Sequence, residues 1–416
     1  MENIKSSLDA LHSDLWRRFV RRPYGMVLDY ADADGNVIYP TREDCERRMP
    51  NFFAWWTPIE NGGFFTGLYL AGMLNRRDAG MGGDEEILQL ANGLFRLQDV
   101  GNTEGFIARG VADDGVSHYP YGSIDQTAPW IYGLWRLYRS TLPDAALKDE
   151  IRGRLMRVIT VLKKNDWTVP TELNGRSGGS ILSANMREAS LLLFICRIAD
   201  ELDPGQGWDD EYERLASENA PGSVFTRTEL CSGGPAAQML SVPGLSTHFW
   251  IYLCSQAALC ELCVLDKNEA RVRKYLTGAY VTALTALNSA GPLLDRYNES
   301  PYKDAVFDVD WRPIGELWRP HQTSEESNII AKNELELWHG KIAPRRRAEH
   351  NLLIQAAYAL WCAKLSPDRK TADEAQRQIE ELILKTEFGK LCLPVGYPAE
   401  SAYYEIFIYN NKEFPF

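Results

Sequence analysis

The stretch from residue 109 to residue 137 carries the densest set of side chains that could do chemistry. A polar and aromatic loop, RGVADDGVSHYPYGSIDQ, runs directly into an apolar helix, TAPWIYGLWRL. The loop combines acidic, basic, imidazole and phenol groups: Arg109, Asp113, Asp114, His118, Tyr119, Tyr121 and Asp125. Polar loops on a rigid scaffold are common places for sites. Asp125 stands where the helix begins, so the alternative role is an N-cap that accepts backbone N–H groups.

Further acidic and imidazole groups stand just before, or at the start of, other apolar helices. Glu60 precedes FFTGLYLAGML, Glu188 precedes a long apolar run, and His248 occupies the first turn of STHFWIYLC. Glycoside hydrolysis needs one carboxyl group that donates a proton and a second that acts as base or nucleophile. The candidate catalytic residues are therefore Asp125, Glu60, Asp113, Glu188 and His248. Each also has a structural alternative: a solvated loop acid, a turn residue, an ion-paired acid or a hydrogen-bonded core histidine.

Arginines and aromatic rings in the same loops are candidates for binding a substrate. A guanidinium can hold a carboxylate through two parallel hydrogen bonds, although a structural ion pair explains any single arginine equally well. Aromatic rings can stack on sugars, and they can also fill a core. The expected substrate-binding residues are Trp56, Arg109, His118, Tyr121, Arg187, Trp311, Arg312 and His321.

Composition restricts the partners and the location of the chain. The 416 residues are 45% hydrophobic and 25% charged, which is typical of a globular protein, and the net charge is −12. No basic run exceeds Arg345-Arg346-Arg347, so no nucleic acid and no membrane surface is expected as a partner. Neither a signal-peptide core nor an apolar run of about 18 residues is present. The eight cysteines lack metal-site spacing, and we expect reduced thiols, a cytoplasmic location and no metal or other cofactor.

Helical periodicity dominates the chain, and strand-like alternation is almost absent. Apolar helices that follow long loops alternate with amphipathic helices that follow short links. This order is expected of a closed ring of helical hairpins with apolar helices inside. We therefore predict an all-α fold, an (α/α)6 barrel of eleven or twelve helices in one domain over residues 1–416. Inner helices should begin near residues 63, 126, 184, 246 and 347, which gathers the long loops at one end. A stacked solenoid is the alternative fold, but no strict repeat is visible.

Two segments resemble a known superfamily. GGFFTGLYLAGML is similar to an inner helix of the six-hairpin glycosidases, particularly the unsaturated glucuronyl and rhamnogalacturonyl hydrolases. IDQTAPWIYGLWRL resembles the segment of those enzymes whose aspartate is the general acid and base, which implies that role for Asp125. Glu60 is the nearest counterpart of the second acidic position in the family. PGLSTHFW is also similar to the active-site histidine segment of the N-acylglucosamine 2-epimerases, which have the same barrel.

Three functions are consistent with these observations. The first is a glycoside hydrolase that acts on short oligosaccharides, expected to contain uronic acid. The second is a polysaccharide lyase or sugar epimerase on the same barrel, in which His248 and one of Tyr119, Tyr121 or Tyr403 abstract a proton. The third is a non-catalytic helical-repeat protein that binds carbohydrate.

Overall fold

Helices form most of the protein, which confirms the expectation of an all-α chain. The structure is a computed structural model, and it describes residues 4–173, 177–241 and 248–406. The α-helices within these ranges are α1 (Ile4–Arg18), α2 (Arg42–Arg47), α3 (Gly62–Arg76), α4 (Asp84–Asp99), α5 (Ile124–Arg139), α6 (Ala145–Lys164), α7 (Met186–Leu202), α8 (Trp208–Ser217), α9 (Arg227–Ser241), α10 (Phe249–Leu265), α11 (Glu269–Asn298), α12 (Ser324–Leu337), α13 (Pro344–Ala348), α14 (Ile354–Lys364), α15 (Arg369–Lys385) and α16 (Gly396–Tyr404). Two small antiparallel sheets pair β1 (Val20–Arg21) with β2 (Met26–Val27) and β3 (Thr168–Pro170) with β4 (Ser177–Ser180).

The helices expected to be buried begin close to their predicted positions. Helices α3, α5, α7, α10 and α13 begin at Gly62, Ile124, Met186, Phe249 and Pro344. The predicted start near residue 246 lies outside the described residues. Periodicity locates these helices well because each carries a long apolar face that must be removed from water.

The described residues contain more α-helices than the eleven or twelve predicted. Helix α2 lies within residues 22–60, which the sequence predicts to be a loop, and the end of α16 overlaps the start of SAYYEIFIYN, a segment for which no helix is predicted. Helix α9 lies in the stretch 219–245, which was expected to be a loop because it is rich in Gly, Ser and Pro. It is kinked at Gly234, where φ is 59°, and Pro235 follows. Short or kinked helices do not carry enough turns to show a period.

Burial separates the helices into two classes. Every residue of α3 is buried, and nearly every residue of α7, α10 and α14 is buried as well. By contrast, α15 buries only a stripe at helical spacing that includes Ala375, Ile379 and Leu382. The alternation of apolar and amphipathic helices along the sequence therefore corresponds to an alternation of fully and partly buried helices.

Contacts between helices connect distant parts of the chain. Among the fully buried helices, α3 packs on α5 and α16, α16 packs on α14, α14 packs on α10, and α10 packs on α7; α5 contacts both α7 and α10. Helices α4, α6, α11, α15 and α1 pack outside on these helices. One apolar cluster includes residues from α1 through α16, so the first and last helices share the same core.

The contact between α3 and α5 is unusually close because glycines stand on both sides of it. A Cβ atom at Gly67 would overlap the carbonyl group of Pro129, and one at Gly133 would overlap the backbone of Gly67. Absent side chains at these two positions let the two backbones approach. This close approach places the first turns of α3 and α5, and therefore the residues that precede them, next to each other.

We expect Gly67→Ala to destabilise the protein by about 2 kcal/mol, since the added methyl group must push α3 away from α5. The matched control is Gly153→Ala in α6, where an added Cβ meets no atom within 4 Å. That exposed substitution should stabilise the protein by about 0.5–1 kcal/mol through helix propensity alone. Urea denaturation of the two variants measures both effects. A Gly67 variant as stable as the parent would show that the two helices can separate without cost.

All eight cysteines are buried and unpaired. Across the three described ranges, no helix combines the length and the apolar character that a membrane crossing requires.

Candidate functional site

Polar side chains in or just before the first turns of α3, α5 and α7 contact one another at that end of the helices. Gln126 on α5 donates its Nε2 to Asn61 Oδ1 at 3.2 Å, and its Oε1 accepts the backbone N–H of Phe64 at 3.0 Å. The loops above this end rest on a second, small apolar cluster of Leu28, Cys45, Ala54, Ile59, Ala112 and Tyr119. The loops are therefore anchored on a core of their own, which fixes the residues they carry.

Asp125, Arg187 and Glu188 form a carboxylate–guanidinium–carboxylate group. Arg187 Nη1 lies 3.3 Å from Asp125 Oδ1, and its Nε donates to Glu188 Oε1 at 2.6 Å. The exposed fractions of the side chains are 31% for Asp125, 18% for Arg187 and 6% for Glu188. Burial opposes the charge of Arg187, but the two carboxylates raise its pKa. Of this group, Asp125 is the member most open to a ligand.

Asp125 does not cap its helix. The N-cap residue of α5 is Ser123, and the helix has no hydrogen bond from a capping side chain. Asp125 lies in the first turn, where its carboxylate contacts Arg187. The alternative explanation of Asp125 as an N-cap is therefore wrong. By contrast, Asn185 does cap α7, because its Oδ1 accepts the backbone N–H of Glu188 at 3.1 Å.

Glu60 is the second acidic group at this end, and two arginines surround it. Its Oε2 accepts the backbone N–H of Trp56 at 2.9 Å and lies 3.3 Å from Arg346 Nη2. Arg109 donates to the backbone carbonyl of Glu60 at 3.0 Å and to Ser123 Oγ at 3.2 Å. Burial lowers the pKa of Arg109, and the nearby carboxylates oppose that shift. Arg109 thus joins the loop that carries Glu60 to the start of the helix that carries Asp125.

Asp29 is a buried acidic residue at this site that sequence reasoning missed. Its two carboxylate oxygens accept the backbone N–H of Asn61 at 2.7 Å and Asn61 Nδ2 at 2.6 Å. Burial, together with the charge of Glu60, raises the pKa of Asp29 to about 8. The available signal was a single aspartate inside the apolar segment GMVLDYA. The role of Asp29 is to hold Asn61, and through it the start of α3.

Two histidines stand just before α10 and α14. His248 is half-buried at the N-cap position of α10, and burial lowers its pKa. His350 lies in the π-helical turn between α13 and α14, where burial and the charge of Arg346 lower its pKa to about 4. The ring of His248 lies 6.5 Å from that of Trp250, which packs against Phe64 of α3. Burial favours the uncharged form of both imidazoles.

The loop residues Asp113 and His118 lie apart from Asp125. The side chain of Asp113 is exposed, and its backbone N–H donates to Pro40 O. His118 Nε2 lies 2.8 Å from Glu172 Oε2, and although burial opposes the charge, this contact raises the pKa of the imidazole. Asp114 forms the turn expected of it, because Oδ1 accepts the backbone N–H groups of Val116 and Ser117. The structure does not bring these three side chains into the group around Asp125.

Three predicted substrate-binding residues on the segment 311–321 also lie elsewhere. Trp311 is fully buried and donates its Nε1 to Ile38 O at 2.8 Å, so no face of its ring is open to a sugar and the predicted stacking role is wrong. Arg312 is exposed and forms an ion pair with Asp310. His321 is buried with its ring 4.5 Å from that of Phe52. Local sequence could not show that this segment folds back onto residues 38–52.

The two aromatic candidates Trp56 and Tyr121 differ in exposure. Trp56 is 7% exposed, and its ring packs edge-on against His339 at 5.3 Å. It is part of the wall behind Glu60, which corrects its assignment as a surface for stacking sugars. Tyr121 is half-buried, with the guanidinium of Arg109 6.0 Å from its ring centre. Of these two rings, Tyr121 has the more accessible surface.

Acidic and imidazole groups at this end belong to ion pairs and hydrogen bonds rather than to a metal cage. Within the described part of the chain, no group of three or more His, Cys, Asp or Glu side chains is arranged to hold a metal ion. The chemistry that this arrangement supports is proton transfer by carboxylates or imidazoles, with guanidinium groups to bind an anion.

Comparisons of the chain with protein-family models, with curated proteins and with solved structures found no match. These comparisons therefore do not identify a family for the chain. A function has to be argued from the residues at this end of the helices, because function depends on the site rather than on the fold.

Proposed function

We propose that the protein is a glycoside hydrolase that uses Asp125 as its general acid and base on short oligosaccharides. One observation carries this proposal: Asp125, the most exposed carboxylate of its group, is held by Arg187 at the helix end where Glu60 also lies. Hydrolysis of a glycosidic bond needs a proton donor to the leaving oxygen and a carboxylate that activates water or attacks the sugar. We propose that Asp125, in the first turn of α5, and Glu60, two residues before α3, supply these two groups.

We infer that the helices form an (α/α)6 barrel in a single domain. The contacts of α3, α5, α7, α10, α14 and α16 lead from each helix to the next and return to α3. The amphipathic helices pack outside this set, and one apolar cluster runs through all of it. In a barrel of this kind the first turns of the inner helices surround one opening, where Asp125, Arg187 and His248 would lie.

Each polar residue then has a separate part in the reaction. Asp125 gives a proton to the glycosidic oxygen as the bond to the anomeric carbon breaks. A water molecule attacks that carbon and gives a proton to the ionised Asp125, which restores the protonated acid. Arg187 positions the Asp125 carboxylate, and Asp29 positions Asn61, which accepts a hydrogen bond from Gln126. The buried, unpaired thiols support a reducing location, for which we propose the cytoplasm.

We expect Arg187→Lys to raise KM about tenfold for an acidic sugar while KM for a neutral analogue changes little. Lysine keeps the charge but lacks the planar fork that holds a carboxylate through two bonds. The matched control is Arg312→Lys, since Arg312 is exposed and paired only locally with Asp310. Steady-state kinetics on the two sugars measures the ratio. Equal activity of the parent protein on neutral and acidic sugars would contradict the expectation.

A second candidate function is a lyase or epimerase that abstracts a proton with His248. The observation that favours it is the position of His248 at the N-cap of α10, beside Trp250, whose ring packs against Phe64 at the start of α3. Tyr121 is the phenol beside Arg109, whereas the Tyr119 hydroxyl is buried and donates to Met49 O. Tyr403, the third phenol considered, stacks edge-on with Tyr404 in α16. On this alternative, replacement of His248 rather than Asp125 would abolish activity.

The test is a panel of neutral, uronic-acid and unsaturated uronic-acid oligosaccharides, followed by ultraviolet absorbance and by the appearance of reducing ends. A glycoside hydrolase releases reducing ends, and the absorbance of an unsaturated uronide disappears as it is consumed. New absorbance indicates elimination by a lyase, and a changed sugar with no cleavage indicates an epimerase. Binding with no chemical change would identify a non-catalytic carbohydrate-binding protein.

A further inference from the structure

Trp55 is half-buried in a segment that is otherwise buried. From Asn51 to Ile59, Trp55 is the one residue that is not buried. The residues on either side of it, Ala54 and Trp56, have φ values of 57° and 76°. Residues other than glycine pay energy for this left-handed conformation, because Cβ approaches the neighbouring carbonyl. Strained backbone of this kind persists where the surroundings enforce it, and it concentrates at sites.

Hydrogen bonds at both ends of the segment enforce the conformation. Asn51 Oδ1 accepts the backbone N–H groups of Phe53 at 3.1 Å and of Trp55 at 3.2 Å. Asn51 Nδ2 in turn donates to the buried carboxyl group of Glu334 at 2.8 Å. At the other end, the backbone N–H of Trp56 donates to Glu60. The loop that presents Trp55 is thereby connected directly to one of the site carboxylates.

Aromatic rings lead from Trp55 toward Asp125. Trp55 stacks on Phe53 with ring centres 4.7 Å apart and an angle of 30° between the planes. Phe53 meets Tyr121 edge-on at 4.7 Å, and Arg109 lies 6.0 Å from the Tyr121 ring. Arg109 then contacts Ser123, the N-cap residue of the helix that carries Asp125. These contacts place the partly exposed rings of Trp55 and Tyr121 along one side of the site.

We propose that Trp55 is a stacking platform for a second pyranose ring of the substrate, beside the sugar that reacts at Asp125. This inference rests on the proposed function and adds that the substrate is an oligosaccharide of at least two rings. The apolar C–H face of a pyranose packs on an aromatic face, and the stacked Phe53 ring keeps Trp55 rigid, so little entropy is lost on binding. Core packing alone would bury Trp55 like its neighbours.

The experiment compares Trp55→Leu and Trp55→Phe with Trp318→Leu in protein that also carries Asp125→Asn, so that binding is measured without turnover. Trp318 is a matched control because it is also half-buried but packs under Arg47, at 4.7 Å. The probes are methyl glucuronide and a tetrasaccharide of alternating glucuronic acid and N-acetylglucosamine, titrated by calorimetry. Melting temperatures identify any variant that does not fold.

We expect Trp55→Leu to weaken tetrasaccharide binding about tenfold with no change for methyl glucuronide, and Trp55→Phe to recover most of the loss. If the Leu variant does not fold, the test is made with Trp55→Phe, for which we expect the tetrasaccharide affinity to fall about two- to threefold. Three results would contradict the stacking role of Trp55. They are an unchanged tetrasaccharide affinity of the variant, an equal loss of affinity for both probes, and no binding of the tetrasaccharide to the parent protein.

The failure of this inference is distinguishable from failure of the proposed function. If tetrasaccharide binding depends on Trp55 but the protein releases no reducing ends, the stacking role of Trp55 is supported and the hydrolase function is contradicted. If the protein hydrolyses the substrate with the same KM after Trp55→Leu, the hydrolase function is supported and the stacking role is contradicted.

Discussion

Asp125→Asn is expected to lower kcat at least about 10²-fold, and up to about 10⁴-fold, because a general acid–base group contributes this much to a rate. Asparagine has nearly the same shape as aspartate, but its amide neither gives nor takes a proton at neutral pH. The side chain is 31% exposed and does not cap α5, so the folded state depends little on it. Arg187 also keeps its contact with Glu188 after the substitution. We therefore expect a melting temperature within a few degrees of the parent.

The control for this substitution is Asp113→Asn, which changes an exposed aspartate of the same loop and should leave kcat unchanged. Reducing-end release on the best substrate of the panel measures the rate of each variant. If Asp125→Asn retains its activity, Asp125 has no part in proton transfer. Glu60→Gln and His248→Gln would then decide between the remaining carboxylate and the imidazole mechanism.

The sequence predicts the buried helices well because their signal is local. An apolar face repeated over four or five turns is visible in one stretch of chain, as in α3 and α10. Helix α9 was missed because Gly234 and Pro235 break its period. Which helices contact one another depends on residues that are far apart in the sequence. The alternation of apolar and amphipathic helices along the chain does not determine these contacts.

The site was predictable to the extent that its residues precede apolar helices. Asp125, Arg187 and Glu60 were found by this rule, and the first two are in contact. Arg346 was interpreted as part of a basic run, although it lies 3.3 Å from Glu60, 286 positions earlier in the chain. A contact of that kind leaves no local pattern. The same reason explains why the sequence indicates Trp56 as a binding residue, although Trp55 is the less buried of the two rings.

A second cluster of charges joins α1 to α16. His12 on α1 lies 2.9 Å from Glu400 on α16 and 3.2 Å from Glu86 on α4. Tyr69 and Arg76 of α3 also contact Glu400, at 2.9 Å and 3.1 Å. Burial opposes the charge of the imidazole, but hydrogen bonds to the two carboxylates raise the pKa of His12 to about 9. An imidazolium therefore holds α1 against the fully buried helices at neutral pH.

We expect the protein to become less stable as the pH rises from about 6.5 to about 9, because the stabilisation by the charged imidazole of His12 is lost over this range. The folded pKa lies above the unfolded value of 6.5, so the contribution is complete below pH 6.5 and is lost as the pH passes through the folded value. Its size is at most about 3.5 kcal/mol, since one pKa unit corresponds to about 1.4 kcal/mol. His12→Gln should therefore unfold at lower urea concentration than the parent near pH 6, and the two should converge near pH 10. The buried acids Asp29 and Glu334, whose pKa values are also raised to about 8, make both proteins less stable at high pH to the same extent and cancel in the difference. A stability difference that stays constant over this range would mean that His12 contributes packing alone.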